Sequence, residues 1–281
     1  MKIKNNRLVA NNGTMVPWVA SPNIGGNLSN GGRPDTLVMH YTAGGAGSGT
    51  VSYFKKPSAK VSAHLVIGRD GDITQMVKFD RTAWHAGKSR WKGKNAVNRF
   101  SIGIELANYG KLRHSGNGGW VSATGKSIPT ERVVLDEHKH FPGSEYGWEV
   151  FDKQQIDVAV EVAQAIVMEF GLEPWDLVGH EDISPHRKID PGPAFGMDRF
   201  RTLVFGREEE TWNDNIFKVD SPTGLNLRIA GNVGATVIEK LPDGAPVHVI
   251  EKSGNWWLVA KVVNGNEDKT GYVHRNWLAP N

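Results

Sequence analysis

The chain has 281 residues, 39 % apolar and 22 % charged, which gives room for one large domain or a medium one with a small companion. It contains no cysteine, so a disulfide framework and a thiolate metal site are excluded, and any metal must be held by His, Asp or Glu. There are 33 basic against 30 acidic residues; residues 207–281 hold 8 against 10 and the first 206 hold 25 against 20, a mild excess that suits an acidic substrate and gives no argument for nucleic acid.

The first dozen residues, Met1 to Asn12, lack an apolar h-region, so no signal peptide is expected. No run of about 18 apolar residues occurs, so no membrane span is expected. Residues 1–35 are rich in Gly, Asn and Pro and read as an irregular arm, with the boundary set at 1–32. Thr36 to Ala43 is an apolar run carrying His40, as in a central α/β strand, and the glycines 44–49 release it into a helix over Thr50–Lys55, stopped by Pro57. Ala63–Gly68 and Ile73–Val77 flank an Asp-Gly turn and predict a hairpin. Thr82–Gly87, with Trp84 and His85, reads as loop. Ser101–Asn108 is a strand, apolar except for Glu105, and a carboxylate there needs a partner.

Residues 109–150 are polar and Gly-rich and read as a long excursion with a short helix around Thr130–His138. Asp152 and Gln155 resemble a capping box, and the apolar spacing from Ile156 to Phe170 predicts a helix ended by Gly171. Trp175–Val178 is strand-like and runs into Gly179-His180, followed by a loop stiffened by Pro185, Pro191 and Pro193 that carries Lys188 and Asp190. A short helix is expected over Met197–Leu203. The charged stretch Gly206–Thr211 marks a boundary, with a linker over 206–216. From Phe217 five short β-like pieces separated by turn residues predict a small β-barrel over 217–281.

His40 and His180 at strand ends and Asp190 in the stiff loop form a candidate ligand set. Three protein ligands leave one zinc position open, the layout of a catalytic site. Metal-assisted hydrolysis also needs a proton shuttle, for which Glu105 is suited, and a cation for the developing oxyanion, for which Lys188 is placed. Plain roles stand beside these: core histidines, a salt-bridged Glu105, a solvated Lys188. His64 packs in the hairpin or lines the site. Trp84 and His85 divide between loop packing and groove wall. His138 and His140 read as a solvated face.

His40-Tyr41-Thr42-Ala43, Ser62 to Ile67, Trp84-His85-Ala86-Gly87, Ser101 to Glu105, and Gly179-His180 through Arg187 to Phe195 resemble, in that order, the zinc-dependent N-acetylmuramoyl-L-alanine amidases of the amidase-2 family, related to peptidoglycan recognition proteins. The match spans roughly residues 33–205. The resemblance implies an α/β fold with a central mixed sheet flanked by helices, zinc on His40, His180 and Asp190, and catalytic roles for Glu105 and Lys188. It implies cleavage of the amide between N-acetylmuramic acid and the L-alanine of the stem peptide, with Trp84, His85, Asn108 and His64 as candidate substrate contacts. His186 stands where relatives often have glycine, and Ala63 where some carry a tyrosine, which leaves that tyrosine's role to Glu105. Leu225–Arg228, Gly244–Val247, Asn255–Val259 and Gly271–Val273 with Trp277-Leu278 resemble a bacterial SH3-like domain, which implies binding to cell-wall polymer.

The expected substrate is therefore polymeric peptidoglycan, reached from the cytoplasm by lysis or another route, in the manner of an endolysin or autolysin. A recycling amidase acting on anhydro-muropeptides and a non-catalytic wall-binding module are the competing readings.

Overall fold

The computed structural model describes residues 1–116, 118–206, 216–263 and 266–280. The chain divides into two compact units, Met1–Phe205 and Gly206–Asn281. The expected linker over 206–216 lies outside the described residues apart from its two ends.

The first unit is built on a five-stranded sheet in the order Leu177–Gly179, Thr36–Tyr41, Ser101–Leu106, Leu65–Ile67, Ile73–Gln75. The first four strands are parallel, and the last turns back antiparallel through the expected hairpin. Side chains alternate across a strand, so each strand serves two faces. Leu37, Met39, Ile102, Ile104, Leu106, Leu65 and Ile67 point to one face and meet the buried stripe Ala159, Val162, Ala163 and Ile166 of helix α2 (Lys153–Phe170). Phe200 and Val204 of helix α4 (Met197–Phe205) join the same core. Burial of each Leu, Ile, Val, Met or Phe side chain among these contributes roughly 1.5–3 kcal/mol. The residues in between, Val38, His40 and Glu105 among them, therefore belong to the opposite face.

Helix α2 ends as its sequence predicts, at Gly171 with φ 66° and its N–H on the Val167 carbonyl. Its start does not. The Asp152 side chain makes no cap; it pairs with Arg132 and Arg69. Gln155 is buried and donates to the carbonyls of Ile67 and Ala107, tying the helix to two strand ends. Helix α1 (Gly47–Phe54) follows the glycine-rich turn after His40.

Two other expectations are corrected. The opening arm is part of the fold: Lys2–Lys4 pairs with Arg7–Val9, Leu8 and Val16 enter the main core, and Gln75 binds Leu8 N–H. The 109–150 excursion contains no helix at Thr130–His138 beyond one 3-10 turn, Thr130–Arg132. It is a second sheet, ordered Ser127–Ile128, Trp120–Val121, Lys111–His114, Phe141–Glu149, Val133–His138. Leu112, Trp120 and Ile128 form its own small core. The Gly- and Ser-rich composition hid strands that carry few apolar side chains.

The second unit is an antiparallel sheet of seven strands among the described residues, ordered Val237–Leu241, Leu225–Arg228, Asn266–His274, Trp256–Val263, Pro246–Ser253, Ile216–Val219, Leu278–Pro280. Leu227, Leu241, Val247, Val259 and Val273 are fully buried at its centre.

Candidate functional site

Three chain segments converge at the carboxyl ends of the parallel strands, where ligands bind in open α/β sheets. The Thr36–Tyr41 strand delivers His40, the end of Leu177–Gly179 delivers His180 at the start of helix α3 (His180–Ile183), and the following loop delivers Asp190. His40 Nδ1 lies 3.0 Å from His180 Nδ1 and 2.9 Å from Asp190 Oδ2, and His180 Nδ1 lies 3.0 Å from the same oxygen. All three residues are buried.

The donor chemistry fits a divalent metal. Burial, reinforced by His180, pushes His40 down to about 4, so its imidazole is neutral at pH 7. His180 Nε2 donates to the Ala86 carbonyl at 3.1 Å, which leaves the other ring nitrogen, Nδ1, facing Asp190. Burial works to raise Asp190, but the His180 and His40 rings beside it outweigh this and hold its carboxyl below the usual range. Lone-pair atoms of two imidazoles and a carboxylate facing one another at about 3 Å repel unless a cation or proton lies between them. Ligand atoms around a tetrahedral zinc with bonds of about 2.0–2.1 Å are about 3.3 Å apart.

The set opens onto a cavity of about 1170 Å³, also lined by Glu105, Trp84, Lys188 and Arg187, with Lys126 and Arg132 from the excursion. Glu105 is the register partner of His40 on the adjacent strand, and its Oε2 is buried with no hydrogen-bond partner among the described residues. Burial pushes its pKa well above the usual carboxylate range; the Asp190 charge adds to this and Lys188 opposes it.

The four candidate substrate contacts separate. Trp84 is 37 % exposed and lines the cavity. His85 also borders it but is buried, with Nδ1 3.0 Å from His40 Nε2 and Nε2 3.1 Å from Ser101 Oγ. His64 is fully buried: its Nδ1 accepts from Gly103 N–H and its Nε2 donates to the Arg81 carbonyl, which leaves it no nitrogen for a substrate. Asn108 is likewise buried, with its amide on the carbonyls of Glu149 and Val150 and its oxygen on Gly110 N–H. Both are backbone clamps at strand ends, and their polar atoms are consumed by the fold.

His138 and His140 are not a solvated face. His138 is buried and bonds Glu181, the residue after His180, at 2.7 Å; His140 bonds the Glu181 carbonyl at 3.1 Å. Lys139 pairs with Glu181 and Asp182. The Trp148 ring presses on Gly192, where a Cβ would come within 2.6 Å of it. The excursion thus braces the segment that carries two of the three ligands. His186 has φ 64°, a left-handed conformation that glycine adopts more readily, and its ring lies near His140 and Phe141, not in the cavity. A sequence signal for this bracing existed in the His-Lys-His triplet, but the partner Glu181 is 43 residues away.

Residues 30–193 match the family model described as N-acetylmuramoyl-L-alanine amidase, and residues 223–279 match the bacterial SH3 domain model. The chain is 36 % identical over 145 residues to the 1,6-anhydro-N-acetylmuramyl-L-alanine amidase AmpD of Escherichia coli K12, covering 52 % of this chain and 59 % of that protein. It is 32 % identical over 192 residues to the N-acetylmuramoyl-L-alanine amidase AmiD of the same organism, covering 66 % and 58 %. It spans less than two thirds of the length of these curated relatives. The crystal structure of a selenomethionine AmpD derivative superposes with a TM-score of 0.52 at 27 % identity, covering 73 % of this chain and 99 % of that one.

Proposed function

The chain belongs to the N-acetylmuramoyl-L-alanine amidase family, and from that premise we propose that it hydrolyses the amide joining N-acetylmuramic acid to the L-alanine of the stem peptide, in polymeric peptidoglycan. The carrying observation is the convergence of His40 Nδ1, His180 Nδ1 and Asp190 Oδ2 in one cavity beside Glu105, whose Oε2 is buried without a hydrogen-bond partner among the described residues. His40, His180 and Asp190 are the residues that would hold zinc. When bound, that ion supplies Lewis-acid polarisation and lowers the pKa of water to about 7.

Glu105 moves the proton. Its raised affinity lets it take a proton from the attacking water and return it to the departing amide nitrogen of L-alanine, the acid–base exchange that a carboxyl tuned towards neutrality performs. Lys188 borders the same cavity, and its ammonium stabilises the negative oxygen that develops on the attacked carbonyl. Trp84 offers an exposed indole to the sugar or the peptide.

The second unit favours the polymer as substrate. A groove of about 340 Å³ is lined by Trp256, Trp277, His274 and Arg228, a surface suited to holding wall polymer by aromatic contact. The identity to an anhydro-muropeptide amidase favours a second reading, a soluble muropeptide substrate. Turnover on intact sacculi and on soluble anhydro-muropeptide, measured side by side, decides between them. Release of stem peptides from sacculi, abolished by a chelator, is the expected result; turnover of the soluble substrate alone establishes the second reading.

A further inference from the structure

The outward-facing nitrogens of the two imidazole ligands end on one dipeptide. His40 Nε2 meets the His85 ring at 3.0 Å, and His180 Nε2 meets the Ala86 carbonyl at 3.1 Å. Asn98 pins this dipeptide: its Oδ1 accepts from the backbone N–H of His85 at 3.0 Å and of Ala86 at 2.7 Å.

Hydrogen counting orders the protons along the His85 branch. The Ser101 hydroxyl has one hydrogen, and it is spent on the Val97 carbonyl at 2.7 Å. Ser101 Oγ must therefore accept from His85 Nε2–H at 3.1 Å. A neutral ring with its proton on Nε2 has a lone pair on Nδ1, which accepts from His40 Nε2–H. His40 is left with its Nδ1 lone pair directed at His180 and Asp190. The strand is shaped for this ring: a Cβ at Gly103, two residues after Ser101 on the same strand face, would lie 2.4 Å from His85 Cγ.

We infer that Ser101 and His85 are positioning residues that hold His40 in the Nε2–H tautomer through a one-directional hydrogen-bond chain, and that the His85–Ala86 dipeptide sets the orientation of both imidazole ligands at once. The inference rests on the reading of His40, His180 and Asp190 as a metal site. Outer partners of this kind fix the tautomer and ring angle of a metal-binding histidine, and their loss weakens metal affinity about 10- to 100-fold. Ser101→Ala touches no ligand, yet it removes the acceptor for His85 Nε2–H. The alternative His85 tautomer, with Nδ1–H aimed at His40, then becomes the favoured one and drives the His40 proton onto the coordinating nitrogen.

The test uses protein with ¹⁵N-labelled histidine and long-range ¹H–¹⁵N correlation, together with zinc affinity measured by chelator competition. His85 is expected as the Nε2–H tautomer in both metal-free and zinc-loaded wild-type protein, its signals identified by their loss in His85→Asn. Ser101→Ala should shift His85 towards Nδ1–H and weaken zinc binding. His85→Leu should weaken it about 10- to 100-fold. His85→Asn, whose amide oxygen takes the place of Nδ1, should recover part of that loss, which a purely space-filling role would not produce. Nδ1–H on His85 in the wild type overturns the inference, as does wild-type zinc affinity in His85→Leu with unchanged circular dichroism. Wild-type protein that binds no zinc refutes the metal-site reading instead, and the tautomer of His85 still decides the hydrogen-bond chain without any variant.

Discussion

His40 and Glu105 are register partners on adjacent parallel strands, so an imidazole of the candidate ligand set and a carboxyl with a buried Oε2 leave the sheet side by side on one face, about 4.8 Å apart along the hydrogen-bonding direction. On the Glu105 strand the alternation is complete: Ser101, Gly103 and Glu105 face the site, while Ile102, Ile104 and Leu106 are in the main core. Replacing Glu105 with Gln removes the proton carrier and leaves the ligands. Amide hydrolysis is expected to fall about 10²- to 10⁴-fold with zinc content unchanged. Loss of zinc together with activity would assign Glu105 to holding the site instead.

Removing the metal should remove the reaction. Dialysis against EDTA is expected to abolish stem-peptide release and added zinc to restore it. Asp190→Ala should bind no zinc, because it deletes the only anion of the three-ligand set. Undiminished turnover in a zinc-free Asp190→Ala protein would sink the metal-dependent reaction.

Trp148 is 1 % exposed and wedged between His138 and Gly192, at the joint between the excursion sheet and the ligand loop. Trp148→Ala is expected to destabilise the first unit by about 3–5 kcal/mol in urea unfolding. It should also weaken zinc binding, because the loop bearing Asp190 loses its support. An unfolding midpoint near that of the wild type would show that the excursion is not a brace.

His64 gives the fold a pH dependence of defined sign. Burial pushes its pKa down from 6.5 to about 4, so the unfolded chain binds more protons than the folded one between those values. Its contribution is fully present above about pH 6.5 and is lost as the pH falls towards 4, by about 3 kcal/mol for a shift of this size. Stability measured in urea from pH 7 to 4 should decline less steeply in His64→Gln than in the wild type. Parallel curves would exclude His64 as the source.

Trp277 is 49 % exposed in the groove of the second unit. Trp277→Ala is expected to weaken co-sedimentation with sacculi about tenfold, equivalent to about 1.4 kcal/mol, while turnover of a soluble muropeptide stays at the wild-type level. Equal losses on both substrates would contradict a wall-binding role for this unit.

The ligand candidates were legible because each carries a local signature: a histidine ending an apolar run, twice, and an aspartate locked among prolines. The α2 periodicity and the Asp-Gly hairpin were legible for the same reason, since their patterns repeat within a few residues. The excursion reads as irregular because its strands mix turn-forming and charged residues with few apolar ones, even where they are six and nine residues long, and pairing such as that between Lys111 and Trp148 spans 37 residues. Asp152 and Gln155 mimicked a cap because cap chemistry and buried polar ties use the same side chains; what separated them was the presence of Arg132 and of two strand-end carbonyls.

By itself, then, the sequence determined the class of site: which residue types can bind a metal in a cysteine-free chain, and which strands carry them. The tertiary structure alone decided which histidines were free to do so. Of the four buried imidazoles packed around the site, His64 has both nitrogens consumed by backbone and His85 is tied between Ser101 and His40, whereas His40 and His180 each turn an Nδ1 inward. That distinction depends on which ring nitrogens are taken up by hydrogen-bond partners outside the candidate ligand set, and those partners lie between 16 residues (His85 to Ser101) and 94 residues (His180 to Ala86) away along the chain. Local pattern carries the identity of a side chain; only the packed fold assigns its lone pairs.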